Sequence, residues 1–393
     1  MTTISQSVVS ENIEAAPSIA RNAAVDRART FLMLVVLLHH AIIPYTYFGH
    51  TDPEGWIGFD MMVLANDSFF MAMCFFLSGL FVWPSLAHKK PGVFLCDRLL
   101  RLGLPFAIAT LTIIPLAYYA IELRQSPNTN LAVFWWKMVT VGPWPSGPVW
   151  FVWVLLALDL TAFLFYRVTP LLLDPINRIS LSSHSRPAIF FLFLLLATAL
   201  LYVPARVYFG AGRWFEFGPF SLQASRVLLY PTYFFVGAGV GMANFDRGLL
   251  GTDGHLAKSR WHWVVVALLS YCLLWMLIYV KREMLGNPVW LPNWYEAIYG
   301  LFFVAFSAAT MLAILGYFLR FNRSGFTLLD TIRTDGYGMF LVHYPVALWI
   351  QYWLYDFDAP AFTKALITFV LTVLFSWGAT AALRAIPGAA RVL

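Results

Sequence analysis

Asp26-Arg-Ala-Arg-Thr-Phe-Leu-Met-Leu-Val-Val-Leu-Leu-His-His40 opens the first apolar run of this 393-residue chain, a run that continues to Phe48. A helix that crosses a bilayer needs about 20 mostly apolar residues, and the segment from Phe31 to Phe48 meets that rule with Arg29 at its mouth and two histidines inside it. The same ruler, carried outward along the chain, gives nine more segments separated by short polar, Pro- or Gly-marked connections. They run from Met61 to Trp83, Leu102 to Ile121, Val149 to Phe165, Ala188 to Val203, Val227 to Ala243, Trp261 to Val280, Ala297 to Phe318, Met339 to Tyr355 and Ala365 to Leu383. The expected fold is an all-α integral membrane protein, a bundle of about ten transmembrane helices. Residues 1–27 read as a disordered tail, 28–385 as the membrane domain and 386–393 as a short second tail.

Composition excludes the main alternatives. Apolar residues make up 60% of the chain and charged residues 12%, about half the charge of an ordinary soluble domain. An aromatic content of 18% is more than a solvated, disordered chain carries. The net charge of +6 has no solvated basic face on which to sit, so no nucleic-acid partner is expected. Cys74, Cys96 and Cys272 have no metal-ligand spacing, which leaves neither a disulfide framework nor a metal site. The polar first 27 residues lead to no small-residue cleavage site and do not read as a signal peptide.

The charges decide orientation. Ten spans put both termini on one side, and only eight of the 26 Lys and Arg (Arg124, Lys137, Arg206, Arg213, Arg226, Lys281, Arg282 and Lys364) fall on the opposite side. By the positive-inside rule both termini are expected in the cytoplasm, and the protein in an inner or plasma membrane as a multi-pass chain. The two long connections on the other face, Glu122 to Pro148 and Pro204 to Arg226, hold much of the Trp, Pro and Gly, and are candidates for a cap over the bundle.

An ionisable residue at membrane depth is costly and is by default a functional candidate. Arg29 and His40 are eleven residues apart, so on a helix they differ by about 20° after three turns and by about 16 Å along the axis. They share a face. Such a pair suits a long ligand with an anionic head and a reactive far end, because Arg offers permanent forked donors and His exchanges a proton near neutral pH. A positive-inside anchor and a satisfied core histidine explain the same pair. Arg98 and Arg101, three residues apart at the start of the third span, lie on one helix face on the same side as Arg29 and read either as ligand contacts or as anchors. Asp67, in the second span, is expected at the depth of His40, where it orients the imidazole, holds an acceptor hydroxyl or caps a helix. Ser78-Gly79 suggests close helix packing. His343, followed by Tyr344 and Pro345 in the ninth span, is a second buried histidine that lines the same cavity or makes a structural hydrogen bond. Asp159 is a buried acid with no partner legible in the sequence. Trp56, Trp135, Trp136, Trp144, Trp214, Trp290 and Trp294 form an interfacial aromatic belt or stack on sugar rings.

These pieces, in this order, resemble the acyltransferase 3 family of integral membrane acyltransferases. Arg29 with His40 eleven positions later is similar to the family's first-helix signature, Phe75-Phe-Leu-Ser-Gly79 to its second-helix motif, and Arg98-Leu-Leu-Arg101 with a nearby Pro to its third-helix start. Trp150-Phe151 and Phe340-Leu-Val-His343-Tyr-Pro345 resemble weaker patterns. The resemblance covers the chain from Asp26 to the tenth span. Pro105 stands one residue later than in the family's usual motif, and no hydrolase-like domain follows the tenth span, so no second acyl-handling module is expected in this chain.

The resemblance implies transfer of an acyl group, of the acetyl or succinyl class, from cytoplasmic acyl-CoA as co-substrate to a hydroxyl of an exported or lipid-linked glycan, with no metal. It implies that His40 is catalytic and that Arg29, Arg98 and Arg101 bind the acyl-CoA, while Asp67, Ser78, Trp150 and His343 are candidates to line or orient the cavity. The expected partners are acyl-CoA, a carbohydrate acceptor and the lipid bilayer. The competing class is a transporter or flippase that moves a glycan or anionic substrate along the same buried polar track.

Overall fold

The computed structural model describes residues 22–49, 51–243, 247–288, 290–322, 325 and 327–392. Eight segments are helical, long and apolar enough to cross a membrane: Ala23–Tyr45, Ile57–His88, Pro91–Gln125, Gly147–Val168, Pro187–Phe209, Arg260–Met284, Asn293–Arg320 and Ala361–Arg384. Leu229–Met242, of 14 residues, and Gly336–Leu354, of 19 residues and with Pro345 inside it, occupy the sixth and ninth expected positions. The chain is a helical membrane protein. The 14-residue helix is about 21 Å long at 1.5 Å per residue, and most of its residues are buried among other helices, so it is not matched to a lipid-facing span.

The principal helices are α1 (Ala23–Ile42), α2 (Ile57–Gly79), α3 (Val82–His88), α4 (Pro91–Gln125), α5 (Leu131–Thr140), α6 (Trp150–Val168), α7 (Asp174–Ser182), α8 (Pro187–Phe209), α9 (Leu229–Met242), α10 (Arg260–Tyr279), α11 (Asn293–Arg320), α12 (Leu328–Ile332), α13 (Gly336–Leu354) and α14 (Ala361–Arg384). One antiparallel hairpin, β1 (Trp214–Phe217) and β2 (Phe220–Gln223), lies between α8 and α9. The first helix starts eight residues before the expected Phe31, because the Asn22 side chain accepts from the Ala24 N–H at 3.0 Å and caps it. Residues 23–27 are therefore helical, which corrects the expected tail for that stretch, and residues 1–21 lie outside the described residues.

The windows of α1, α2 and α11 are 67%, 72% and 61% buried, against 22–39% for the other long spans, so these three helices form the centre of the bundle. The contact between α2 and α9 is a backbone contact. A Cβ on Gly237 would lie 2.1 Å from the Phe76 carbonyl oxygen, and one on Gly79 would lie 2.1 Å from that of Phe234. Only glycine lets two helices approach this closely, as in the small-residue packing of membrane helices.

Two prolines shape α4. Each lacks an N–H and so deprives the carbonyl four residues earlier of its helical donor. The Arg101 carbonyl, orphaned by Pro105, accepts from the Tyr337 hydroxyl at 2.6 Å, and the Leu111 carbonyl, orphaned by Pro115, accepts from Trp135 Nε1 at 2.7 Å. Wide π turns at Leu99–Gly103 and Ala109–Ile113 accompany these breaks, and Trp144 Nε1 donates to the Thr110 carbonyl at 3.1 Å. Arg101 lies within the π turn that precedes Pro105.

Candidate active site

The first turns of α1 separate the roles of two neighbouring arginines. Arg27 is buried and clamped: Nε donates to Asp330 at 3.1 Å, and the Nη atoms donate to Asp330 and to the carbonyls of Phe321 and Gly325 at 2.9–3.1 Å. Its hydrogen bonds, with those from Thr327, hold the Asp330 carboxyl at about 2, below the usual carboxylate range. Arg29, two residues on, opens onto a cavity of about 400 Å³ and lies 4.9 Å over the Phe81 ring, with no hydrogen bond or ion pair among the described residues.

Arg98 and Arg101 line the same cavity, as do Arg333, Asp26, Asp159, Cys74 and Ser78. Asp159, 1% exposed, receives Arg98 Nε at 3.1 Å, while its other oxygen is buried without a partner. Arg333 pairs with Asp26 at 3.4 Å. Four cations against two anions leave the cavity net positive, and Arg29 and Arg101 hold their guanidinium donors unspent. The structure brings together the three arginines singled out in the sequence and gives Asp159 the partner that the sequence did not show.

His40 is not in that cavity. It lines a second one, of about 550 Å³, with Tyr118, Tyr344, Trp144, Trp150, Trp214, Ser146, Ser221 and Glu216. The two cavities lie toward opposite ends of α1 and nearly touch. Val36 of α1, Phe151 of α6 and Phe340 of α13 line the arginine cavity, and His40, Trp150 and Tyr344 of the same three helices line the other. Four residues of helix are about 6 Å, so one aromatic layer separates the two. Its rings are in sequence: Phe75 to Phe151 at 4.7 Å between centroids, Phe151 to Phe340 at 5.8 Å, Phe340 to His343 at 5.8 Å and His343 to His40 at 5.2 Å.

The polar contacts within this layer fix the two histidines. His343 is fully buried with Nδ1 2.6 Å from the Phe340 carbonyl oxygen. A carbonyl only accepts, so Nδ1 carries the proton, and Nε2 has no partner among the described residues. The turn holding His40 is anchored from outside α1. Its carbonyl, among the last four that a helix leaves unsatisfied, accepts from Gln351 Nε2 at 2.9 Å, and the Gln351 carbonyl accepts from Arg124 at 2.7 Å.

Asp67 neither orients His40 nor opens onto its cavity. It pairs with Arg226, whose Nη1 donates to Asp67 Oδ1 at 2.9 Å and to its carbonyl at 3.1 Å, and to the Tyr230 hydroxyl at 3.2 Å. A second buried pair, Arg206 with Glu296 at 2.5 Å, reaches the Tyr202 hydroxyl at 3.3 Å. The competing charge was hidden in the sequence because Arg206 and Arg226 read as loop cations, whereas α8 continues through Pro204 to Phe209 and buries Arg206. His39 faces away from His40's cavity, packed 4.9 Å from Phe70.

Sequence reasoning missed Glu216, Ser221, Ser146, Tyr118 and Tyr344. The alternation Trp-Phe-Glu-Phe from Trp214, a Gly218-Pro turn and then Phe-Ser-Leu-Gln is a hairpin pattern. In its register Glu216 faces Ser221 across the strands, and Ser221 Oγ meets Ser146 Oγ at 2.5 Å. The connection after the eighth helix therefore does cap one end of the bundle.

The helical membrane protein thus holds one net-positive cavity and one tryptophan-lined cavity, close together on either side of an aromatic layer. The acyltransferase 3 family model, described as an acyltransferase domain, matches residues 22–381, and the chain belongs to that family. The protein is a membrane acyltransferase. No curated protein and no solved structure matches it.

Proposed function

We propose that the protein transfers an acyl group, of the acetyl or succinyl class and not an aminoacyl group, from cytoplasmic acyl-CoA to a hydroxyl of an exported or lipid-linked glycan, as a multi-pass protein of the inner or plasma membrane. The observation that carries this reading is the pair of cavities on either side of the His40–His343 layer. The arginine cavity faces the cytoplasm with both termini, on a ten-span topology, and Arg29, Arg101 and Arg98 take the CoA phosphates through charge-assisted, forked hydrogen bonds. The pantetheine arm points along α1 toward His40, between Phe151 and Phe340. Ser78 lines its path in the arginine cavity, and Trp150 faces the acceptor side.

Neutral His40 accepts the proton of the acceptor hydroxyl as that oxygen attacks the thioester carbonyl. The C–O bond forms, the C–S bond breaks, and the departing thiolate takes the proton back from the imidazolium. A positioned base of this kind supplies typically about 10²- to 10⁴-fold. His343 is a positioning residue: its ring packs against that of His40 at 5.2 Å between centroids.

Membrane vesicles containing the protein, supplied with labelled acyl-CoAs, test this directly. Wild type is expected to release CoA and pass label to an acceptor, and His40→Ala to lose turnover by at least about 10²-fold while retaining CoA binding. Turnover that survives in His40→Ala overturns the mechanism. Substrate movement with no acyl-CoA consumed would establish a transporter or flippase in its place.

A further inference from the structure

The tryptophan-lined cavity holds a single carboxylate. Its other ionisable lining groups are His40 and two tyrosines, whereas the arginine cavity carries four cations and two anions. Glu216 stands on the cavity-facing side of the hairpin together with Trp214 and Ser221, two residues or one strand away, while Phe215 and Phe220 occupy the other side, against Phe209 and Phe106. No hydrogen bond or ion pair ties Glu216 to any described residue. Its partner on the opposite strand behaves differently, since Ser221 is held by Ser146 and its carbonyl accepts from Trp153 Nε1 at 3.2 Å. The hairpin is therefore pinned at Ser221 and presents an exposed, unspent carboxylate to the cavity that His40 also lines.

We propose that Glu216 selects the acceptor: the cavity takes a polyhydroxylated ligand that is neutral or carries an amine, and disfavours one that carries a carboxylate. This rests on the acyltransferase reading above. The ring faces of Trp144, Trp150 and Trp214 offer stacking surfaces for a sugar, and the carboxylate accepts from hydroxyl or ammonium donors but repels an acidic group at close range. Both effects fall on the ligand entering from the hairpin side and leave the anionic donor, which the arginine cavity attracts, unaffected.

The test compares wild type, Glu216→Gln and Glu216→Lys in vesicles with labelled acetyl-CoA and three matched acceptors, methyl glucoside, glucosamine and glucuronate, scoring label transferred and CoA released. Wild type is expected to acylate the first two in preference to glucuronate, Glu216→Gln to reduce that preference roughly five- to tenfold, and Glu216→Lys to reverse it. An unchanged preference in all three forms, glucuronate as the best wild-type acceptor, or CoA release with label on none of the sugars overturns the inference. If wild type consumes no acyl-CoA, it is the acyltransferase reading that fails. The charge of the cavity is then read from Thr140→Cys at its wall, in a background with Cys96 and Cys272 replaced by Ser, by the relative rates of anionic and cationic methanethiosulfonate labelling. A ratio that moves toward the anionic reagent in Glu216→Lys supports the role of Glu216, and a ratio that does not move overturns it.

Discussion

Arg27 and Arg29 differ by two positions and do opposite work, because on a helix two residues are about 200° apart. Arg27 turns into the bundle, where Asp330 and two carbonyls absorb its donors, and Arg29 turns into a cavity where no described residue does. The clamp has a pH signature. The carboxyl of Asp330 is depressed to about 2 in the folded chain, against about 4 for a free aspartate. Its stabilisation is therefore fully present above about pH 4 and is lost as pH falls through about 2. Asp330→Asn is expected to lower stability in detergent by about 2 kcal/mol at neutral pH and to remove that acid dependence, as measured by thermal unfolding between pH 2 and 7. An acid limb that persists unchanged in the variant would assign it to another group. Both arginines were visible in the sequence, but which of them faced a cavity was not, since positive-inside anchoring and ligand binding demand the same residue type at the same depth.

At the scale of elements, α4 and the α2–α9 pair show how the sequence writes exceptions into helices. Pro105 and Pro115 interrupt α4, and the donors that repair the breaks, Tyr337 Oη and Trp135 Nε1, come from 232 and 20 residues further along the chain and are set by packing alone. The Gly residues of α9 were legible as small residues in a membrane span, and the structure gives them a specific use. Gly237→Ala would put a methyl 2.1 Å from the Phe76 carbonyl oxygen, a backbone atom that moves only if α2 or α9 moves. Overpacking of this kind costs about 1–3 kcal/mol, so the variant is expected to unfold at lower temperature in detergent than Gly92→Ala, whose position has nothing within 4 Å. Equal midpoints for the two variants would contradict a backbone contact. The short α9 also accounts for the sixth expected span. It is a 14-residue helix, most of whose residues are buried.

The whole molecule is arranged around a thin partition. Val36 and His40, Phe340 and Tyr344, and Phe151 and Trp150 are pairs in which one member faces each cavity, so in the proposed reaction a thioester brought up from the arginine side would reach His40 between Phe151 and Phe340. In that reaction the layer would also keep water from the thioester, since an excluded-water site suppresses hydrolysis of reactive groups. Phe340→Ala is expected to raise CoA release in the absence of acceptor severalfold relative to transfer in its presence. A ratio equal to that of wild type would show that the partition does not limit access.

The sequence by itself determined that this is a helical membrane protein of the acyltransferase 3 family, because span length, charge asymmetry and short motifs are local properties of the chain. It also placed Arg29, Arg98, Arg101 and His40 as the residues to watch. Only the tertiary structure decided that the arginines and His40 open onto different cavities, that Asp67 is spent on Arg226 and Asp159 is shared with Arg98, and that Glu216 lines the same cavity as His40. The reason is physical. A paired charge is defined by whichever opposite charge the packing brings within about 3 Å, and these partners lie 159 and 61 residues apart in the chain, a separation over which no periodicity or motif carries information.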